Sequence, residues 1–221
     1  MRKLKIVADS SANLLALQGP DFAVAPLKII AGEREFVDDR YLNVDEMADF
    51  FDSYKGRSKT SCPNPGNWLE AFGDADDIFC VTITSGLSGS YNAACVAKQM
   101  YEAENSGKLV FVIDSLSAGP ELVLLIEKLQ ELILAGCAYG DICRETEAYL
   151  KKTGLVFALA SLKNFAANGR VPVAVAKLAG ILGIRIVGKA SQEGTLQPLD
   201  KSRGEVKSLE KLLEHMGASG F

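Results

Sequence analysis

Three stretches of the chain are almost wholly apolar, and each is followed by polar residues. They cover residues 4–8, 78–83 and 109–113, and they lead into Asp9-Ser10, into a turn rich in glycine and serine, and into Asp114-Ser115. Nearly continuous apolar strands are typical of a parallel sheet that helices cover on both faces. Because ligands bind outside the carboxyl ends of such strands, the pattern predicts a functional site where these stretches end.

Apolar spacing elsewhere predicts further elements. The predicted helices cover residues 13–17, 44–54, 68–72, the segment after Gly89 to about Tyr101, 121–134, 141–152, 173–182 and 205–216. Further strands are predicted at residues 22–30, 33–37, 155–160, 184–187 and 195–199, with Pro26 indicating an irregular or edge pairing. Residues 55–67 are polar, contain several Gly and Pro residues, and are expected to be irregular.

The pattern changes at Gly154, after which a hairpin turning at Glu193-Gly194 replaces the regular alternation. We therefore predict two domains: residues 1–153 form an α/β domain with the anion-binding turn, and residues 154–221 form a partial second α/β domain. The expected fold class is α/β, with a mostly parallel sheet, helices on both of its faces, and a second, smaller and incomplete α/β unit.

The turn after residues 78–83 is the strongest candidate for a binding site. It carries four hydroxyl residues between Thr84 and Ser90, and it contains Gly86 and Gly89. A helix that begins here directs its first N–H groups and the positive end of its dipole toward the turn, which favours an anion. The alternative is that Ser88 only caps the helix.

Composition argues against several classes of protein. The net charge is −4 without a basic block, so nucleic acid is not an expected partner. No apolar run approaches the roughly 18 residues of a membrane span, and the first strand begins too early for a signal peptide. The five cysteines lack CxxC spacing and the single histidine is His215, which predicts free thiols in the cytoplasm and no metal site.

Two enzyme motifs are incomplete. Residues 86–90 resemble the nucleophile elbow of serine hydrolases, but the last position is Ser90 and the one candidate base, His215, is predicted in the other domain. Residues 183–189 have the spacing of a P-loop, but Ala190 follows and no helix opens there. These differences argue against both activities.

Three charged residues have two interpretations each. Asp9 and Asp114 either pair as acid and base or cap the turns in which they lie, and turn capping is favoured. Arg170 either clamps an anion or joins the two units.

Taken together, several short motifs resemble those of the DegV family. They lie at residues 7–13, 60–63, 84–91, 112–115 and 168–170, at Gly194 and at residues 201–204, in the family's order and over essentially the whole chain. The resemblance implies two α/β domains with one long-chain fatty acid buried between them. It also implies a bacterial fatty-acid-kinase binding subunit, which presents the acyl carboxylate to a separate ATP-binding kinase subunit that forms an acyl phosphate for lipid synthesis.

The same resemblance implies roles for individual residues. Thr60 and/or Ser61, together with Ser88 and the Gly89 amide, would hold the carboxylate of the fatty acid. Arg170 would lie near the ligand and near the contact with partners. We expect no catalytic residue, no metal and no cofactor, because the chemistry would belong to the kinase subunit.

The chain departs from the family pattern at two places. Asn168 stands where the family usually has glycine, and family members continue for several strands and helices beyond the end of this sequence. We therefore expect an incomplete second domain with exposed apolar surface, weak lipid binding or a homodimer. The rival functions are a serine-dependent acyl hydrolase or transferase that uses Ser88, and a lipid-free regulatory or interaction protein.

Overall fold

The computed structural model describes residues 2–171 and 184–218. The strands are β1 (Leu4–Asp9), β2 (Asp21–Ala25), β3 (Lys28–Ala31), β4 (Arg34–Val37), β5 (Ser58–Ser61), β6 (Asp77–Thr82), β7 (Leu109–Asp114), β8 (Val156–Leu159), β9 (Ile184–Ala190) and β10 (Leu196–Arg203). The helices are α1 (Val44–Ser53), α2 (Pro65–Phe72), α3 (Ser90–Glu104), α4 (Pro120–Leu134), α5 (Tyr139–Leu150), α6 (Lys163–Ala167) and α7 (Glu205–Ala218). The helix predicted at residues 173–182 lies outside the described residues.

Sheet A is parallel and has the strand order β2-β1-β6-β7. Helices α4 and α5 pack on one face, and α2 and α3 pack on the other. Ile78 and Phe79, adjacent in β6, enter opposite cores because successive strand residues face opposite sides of a sheet. Burial on both faces explains why these strands are mostly apolar and do not alternate with polar residues, and it confirms the predicted α/β fold class.

Sheet B is antiparallel, with the order β4-β3-β5. The predicted strand at residues 22–30 is wrong as one element, because it is divided near Pro26 into β2 of sheet A and β3 of sheet B. The irregular segment predicted at residues 55–67 instead contains the polar strand β5 and the start of α2. Asn43 caps α1, since its side chain accepts from the Glu46 N–H at 3.1 Å.

The helix predicted at residues 13–17 is absent from the structure. A single 3₁₀ turn, Ser10–Ala12, follows β1 and ends where Asn13 adopts a left-handed backbone with φ of 55°. The Asp9 side chain accepts from the Ser11 N–H and so fixes the start of this turn. A polar capping residue and a left-handed residue four positions apart leave room for one turn only.

Sheet C is antiparallel, with the order β10-β9-β8. Helix α7 packs on all three of its strands. Gly188 of β9 lies where a Cβ would come within 2.6 Å of both the Gln197 carbonyl oxygen and the Phe157 ring, so a larger residue does not fit there. Gly154 falls between α5 and β8, and the division of the chain into domains at that point stays a prediction.

Candidate functional site

The turn after β6 is folded by its own hydrogen bonds. The Thr84 hydroxyl accepts from the Gly86 N–H at 3.1 Å. The Thr84 carbonyl accepts from the N–H groups of Leu87 and Ser88, both at 3.2 Å. The Ser88 hydroxyl accepts from the Ser90 N–H at 3.3 Å. This last bond uses a lone pair of Ser88 and leaves the hydroxyl hydrogen able to donate to an oxyanion.

Helix α3 begins directly after this turn. Gly89 occupies the N-cap position, where no side chain caps the helix. The positive end of the helix dipole therefore faces the exposed side of the turn. A Cβ on Gly89 would lie 3.2 Å from the Cys62 sulfur, so glycine permits the close approach of the turn to the segment that follows β5.

Asp9 fixes the base of the turn from the neighbouring strand. It is fully buried. One carboxylate oxygen accepts from the Ser90 hydroxyl at 2.6 Å and from the Ile83 N–H at 2.9 Å, and the other accepts from the Ser11 hydroxyl at 2.5 Å. Burial raises the pKa of Asp9, and the hydrogen bonds from Ser11, Ser90 and Ile83 partly oppose that rise. Asp9 thus holds the turn in place.

Asp114 has a similar structural role at the end of β7. Its carboxylate accepts from the N–H groups of Ser85 and Leu116, at 3.0 and 3.2 Å. Both strand-end aspartates therefore organise turns, which supports the interpretation that the sequence favoured over an acid–base pair.

Thr60 and Ser61 face different directions, because they are consecutive residues of β5. Thr60 lines a cavity beside the Ser88 turn. The Ser61 hydroxyl instead donates to the Cys62 carbonyl at 3.4 Å. The structure therefore brings Thr60 and Ser88 together, while Ser61 lies outside that cavity lining and Gly89 lies next to Cys62.

Arg170 and Asn168 connect helix α6, which packs beside sheet C, to the rest of the site. The Arg170 Nε donates to the Leu87 carbonyl at 3.1 Å, and its Nη1 donates to the Asn168 carbonyl at 2.6 Å. The Asn168 side-chain amide donates to the Ser58 carbonyl at 3.3 Å and to the Asn164 carbonyl at 2.9 Å. Arg170 therefore joins the two parts of the chain while its guanidinium borders the cavity.

These elements border an open cavity of about 370 Å³. Its walls are mostly apolar with a polar end, and the lining residues are Leu27, Thr60, Ile83, Leu87, Ser88, Asn164, Phe165, Asn168 and Arg170. Leu27 and Phe165 were not predicted as site residues, since each is an apolar residue without a motif around it. Only the fold brings them to the cavity.

The described residues give Ser88 no histidine partner. His215, on α7, instead has its Nε2 at 3.4 Å from an oxygen of Asp200, on β10.

Within the described residues, no group of three or more histidine, cysteine or acidic side chains is arranged to hold a metal ion. No helix there is both long and apolar enough to cross a membrane.

The fold and this site define a class: an α/β protein with a hydroxyl-lined, apolar-walled cavity at the carboxyl edge of a parallel sheet. A family model described as "Uncharacterised protein, DegV family" matches residues 3–220. The chain therefore belongs to the DegV family, as its motifs indicated.

Relatives and solved structures agree with this assignment. A DegV domain-containing protein of Streptococcus pneumoniae is 41% identical over 98% of this chain and 79% of its own length. The structure of the S. pneumoniae Fatty Acid Kinase (Fak) B3 protein, loaded with linoleic acid, matches with a TM-score of 0.96 and 40% identity over 99% of this chain and 79% of its own. A DegV family protein from Eubacterium eligens, loaded with heptadecanoic acid, matches with a TM-score of 0.93 and 44% identity over 97% and 78%.

Proposed function

We propose that this chain binds one long-chain fatty acid in the cavity between sheets A and B and helix α6. The observation that carries the proposal is the lining of that cavity: Thr60 and Ser88, which both carry hydroxyls, line it together with Leu27, Ile83 and Phe165. Its volume of about 370 Å³ falls within the range of small-molecule sites. The similar proteins loaded with linoleic and heptadecanoic acid support the same ligand class.

The two ends of the ligand would be recognised by different forces. Each methylene of the acyl tail that leaves water for the apolar walls contributes about 0.8 kcal/mol. The carboxylate would accept hydrogen bonds from Thr60, Ser88 and the Gly89 amide, near the guanidinium of Arg170. The tail then supplies most of the affinity, and the hydroxyls orient the head group.

We propose further that the chain presents this carboxylate to an ATP-binding kinase subunit, which converts it to an acyl phosphate. Thr60, Gly89 and Arg170 are exposed, so the polar end of the cavity opens at the surface where a partner has access. The match to the Fatty Acid Kinase (Fak) B3 protein supports this role. In this proposal the chain is a binding subunit in the cytoplasm, where its five free thiols would stay reduced.

Native mass spectrometry of the protein purified from bacteria tests the binding. We expect a mass increment that organic extraction identifies as a fatty acid. Ser88→Ala should reduce its occupancy, whereas Ser85→Ala is the matched control, because Ser85 is an exposed hydroxyl of the same turn outside the cavity lining. A folded protein that carries no lipid and takes up no added linoleic acid would refute the proposal.

Presentation to a kinase is tested separately. The linoleate-loaded protein is mixed with ATP and a purified ATP-binding fatty-acid kinase subunit, and acyl phosphate is trapped with hydroxylamine. Product that requires both proteins supports the proposed role. If the protein binds lipid tightly but no such subunit forms product, the proposed fatty-acid binding stands and the proposed presentation to a kinase is refuted.

A further inference from the structure

The hairpin turn between β9 and β10 has a fixed shape of its own. The Gly194 N–H donates to the Ser191 carbonyl at 2.9 Å, and the Ser191 N–H donates to the Thr195 carbonyl at 2.9 Å. The Ser191 hydroxyl also accepts from the N–H groups of Glu193 and Thr195, at 3.2 and 3.1 Å. Because its bonds are satisfied internally, this turn can act as a rigid surface against another element.

That surface lies against the Ser88 turn. Gly194 is buried although Glu193 and Thr195 on either side of it are exposed. A Cβ on Gly194 would lie 1.9 Å from the Thr84 Oγ1 and 2.9 Å from the Leu116 Cα. Gly194 therefore packs directly on the Thr84 side chain and the Leu116 backbone, with no room for a side chain of its own.

The contact is also close from the other side. A Cβ on Gly86 would lie 2.8 Å from the Glu193 carbonyl oxygen and 3.0 Å from that of Gly194. Two glycines, distant in sequence, thus face each other at the carboxyl edge of sheet A. Their contact fixes the distance between the Ser88 turn and the hairpin.

The position of Thr84 determines that of Ser88. The Thr84 carbonyl accepts from the N–H groups of Leu87 and Ser88, and its hydroxyl accepts from the Gly86 N–H. A displacement of Thr84 by a side chain on residue 194 would therefore move the Ser88 hydroxyl relative to the cavity.

We propose that Gly194 is a positioning residue for the ligand site: the Ser191–Thr195 turn, packed on Thr84 and Gly86, holds Ser88 in the orientation that receives the carboxylate. This inference rests on the proposed fatty-acid binding. The hairpin does not line the 370 Å³ cavity. In this inference it nevertheless affects how the carboxylate is held, because it positions Ser88.

The test compares Gly194→Ala with Gly136→Ala in the full chain. Both glycines have left-handed backbones, with φ of +70° and +73°, but a Cβ at Gly136 has no neighbour within 4 Å. Backbone strain is therefore matched, and only Gly194→Ala adds the clash with Thr84. We expect Gly194→Ala to bind linoleic acid roughly tenfold more weakly than wild type, and Gly136→Ala to bind it as wild type does.

Hydrogen exchange separates positioning from a general loss of stability. Gly194→Ala should speed exchange of the Leu87 and Ser88 amides, with the amides of β6 unchanged. Unchanged exchange at Leu87 and Ser88 together with wild-type affinity overturns the inference, and so does faster exchange spread evenly over β6. If wild type takes up no linoleic acid, the proposed function fails while the exchange result still decides whether Gly194 positions the turn.

A second variant keeps the test decisive if Gly194→Ala does not fold. Gly86→Ala introduces a steric clash with the Glu193 and Gly194 carbonyls from the opposite side, and the Gly86 backbone lies outside the left-handed region. We expect weaker linoleic acid binding, by about threefold, with the same local rise in exchange. Wild-type binding and exchange in this variant would also overturn the inference.

Discussion

The described residues around sheet A are more extensively buried than those around sheet C. Sheet A is packed on both faces, and the inner residues of β1 and β6 are fully buried. Among the described residues, the cluster beside sheet C contains three buried side chains: Leu162, Val171 and Ile186. The large apolar side chains of α7 are exposed at Val206, Leu209, Leu213 and Met216.

The difference shows how the candidate site is divided. Ser88 comes from the turn that sheet A anchors through Asp9, whereas Phe165 and Arg170 come from the less buried part beside sheet C. Regions with less burial open more readily in local unfolding. We therefore expect the Ser88 side of the cavity to be the fixed wall and the α6 side to be the wall that moves when a ligand enters.

Matched truncations in the two cores should give the largest contrast. Ile78→Ala is expected to lower the unfolding free energy by about 4 kcal/mol, because Ile78 is fully buried among rigid neighbours. Ile186→Ala should cost about 2 kcal/mol, because its partly buried neighbours can fill the space. Urea unfolding followed by circular dichroism measures both.

A surface truncation serves as the control for this pair. Leu134 is 66% exposed, and Leu134→Ala should change the unfolding free energy by less than about 0.5 kcal/mol. Equal losses for Ile78→Ala and Ile186→Ala would show that sheet C is as well packed as sheet A, and the comparison would then be wrong.

The same contrast explains what the sequence could predict. The strands of sheet A can be predicted because burial on both faces favours nearly continuous apolar runs. The turn at Ser88 is also readable, since glycines and hydroxyls follow such a run directly. In contrast, β5 is polar, and its pairing with β3 depends on residues about 30 positions away, so the sequence carried no local signal for it.

Site residues show the same limit. The sequence left Thr60 and Ser61 as alternatives, because their facing depends on knowing that the segment is a strand. The Asn168 bond to Ser58 joins residues that are 110 positions apart, and neither residue type predicts it. Arg170 was identified from its motif, while its bond to the Leu87 carbonyl required the structure.

A substitution at Asp9 tests the fixed wall itself. Asp9→Asn places an amide where an oxygen accepts from backbone or hydroxyl donors, so at least one of the Ile83 and Ser11 N–H groups loses its acceptor. We expect a loss of about 2 kcal/mol in unfolding free energy. Linoleic acid binding should weaken as well, since the loss of an acceptor at Asp9 loosens the contact that fixes the base of the turn.

The pH dependence of this loss has a definite sign. Burial raises the pKa of Asp9 above its ordinary value of 3.8, so the unfolded chain releases this proton first. The stabilisation contributed by Asp9 is therefore complete below the unfolded pKa and declines as the pH rises through the folded pKa. The difference in unfolding free energy between wild type and Asp9→Asn should shrink over that range. A difference that grows with pH would mean that the hydrogen bonds outweigh burial.

Arg170→Lys tests the joint between the two parts of the chain. Lysine keeps the charge but lacks the guanidinium fork, so the bond from Nε to the Leu87 carbonyl is lost. We expect a cost of about 1 kcal/mol in unfolding free energy and a faster release of linoleic acid. Arg144→Lys, at an exposed arginine of α5, is the control and should change neither quantity. Equal effects of the two substitutions would show that Arg170 does not join the two parts of the chain.

The smallest expected effect is at Asn168, whose side chain ties β5 to α6. In Asn168→Asp the carboxylate cannot donate to the Ser58 and Asn164 carbonyls, although its shape is unchanged. The bond to Ser58 is long at 3.3 Å, so we expect a loss of about 0.5 kcal/mol and about a twofold faster release of linoleic acid. Hydrogen exchange should rise at β5 and stay constant at β4, the opposite edge of sheet B. Equally faster exchange at β4 and β5 would mean that Asn168 stabilises the whole of sheet B. That result would contradict the expectation that the α6 side of the cavity is more mobile than the Ser88 side.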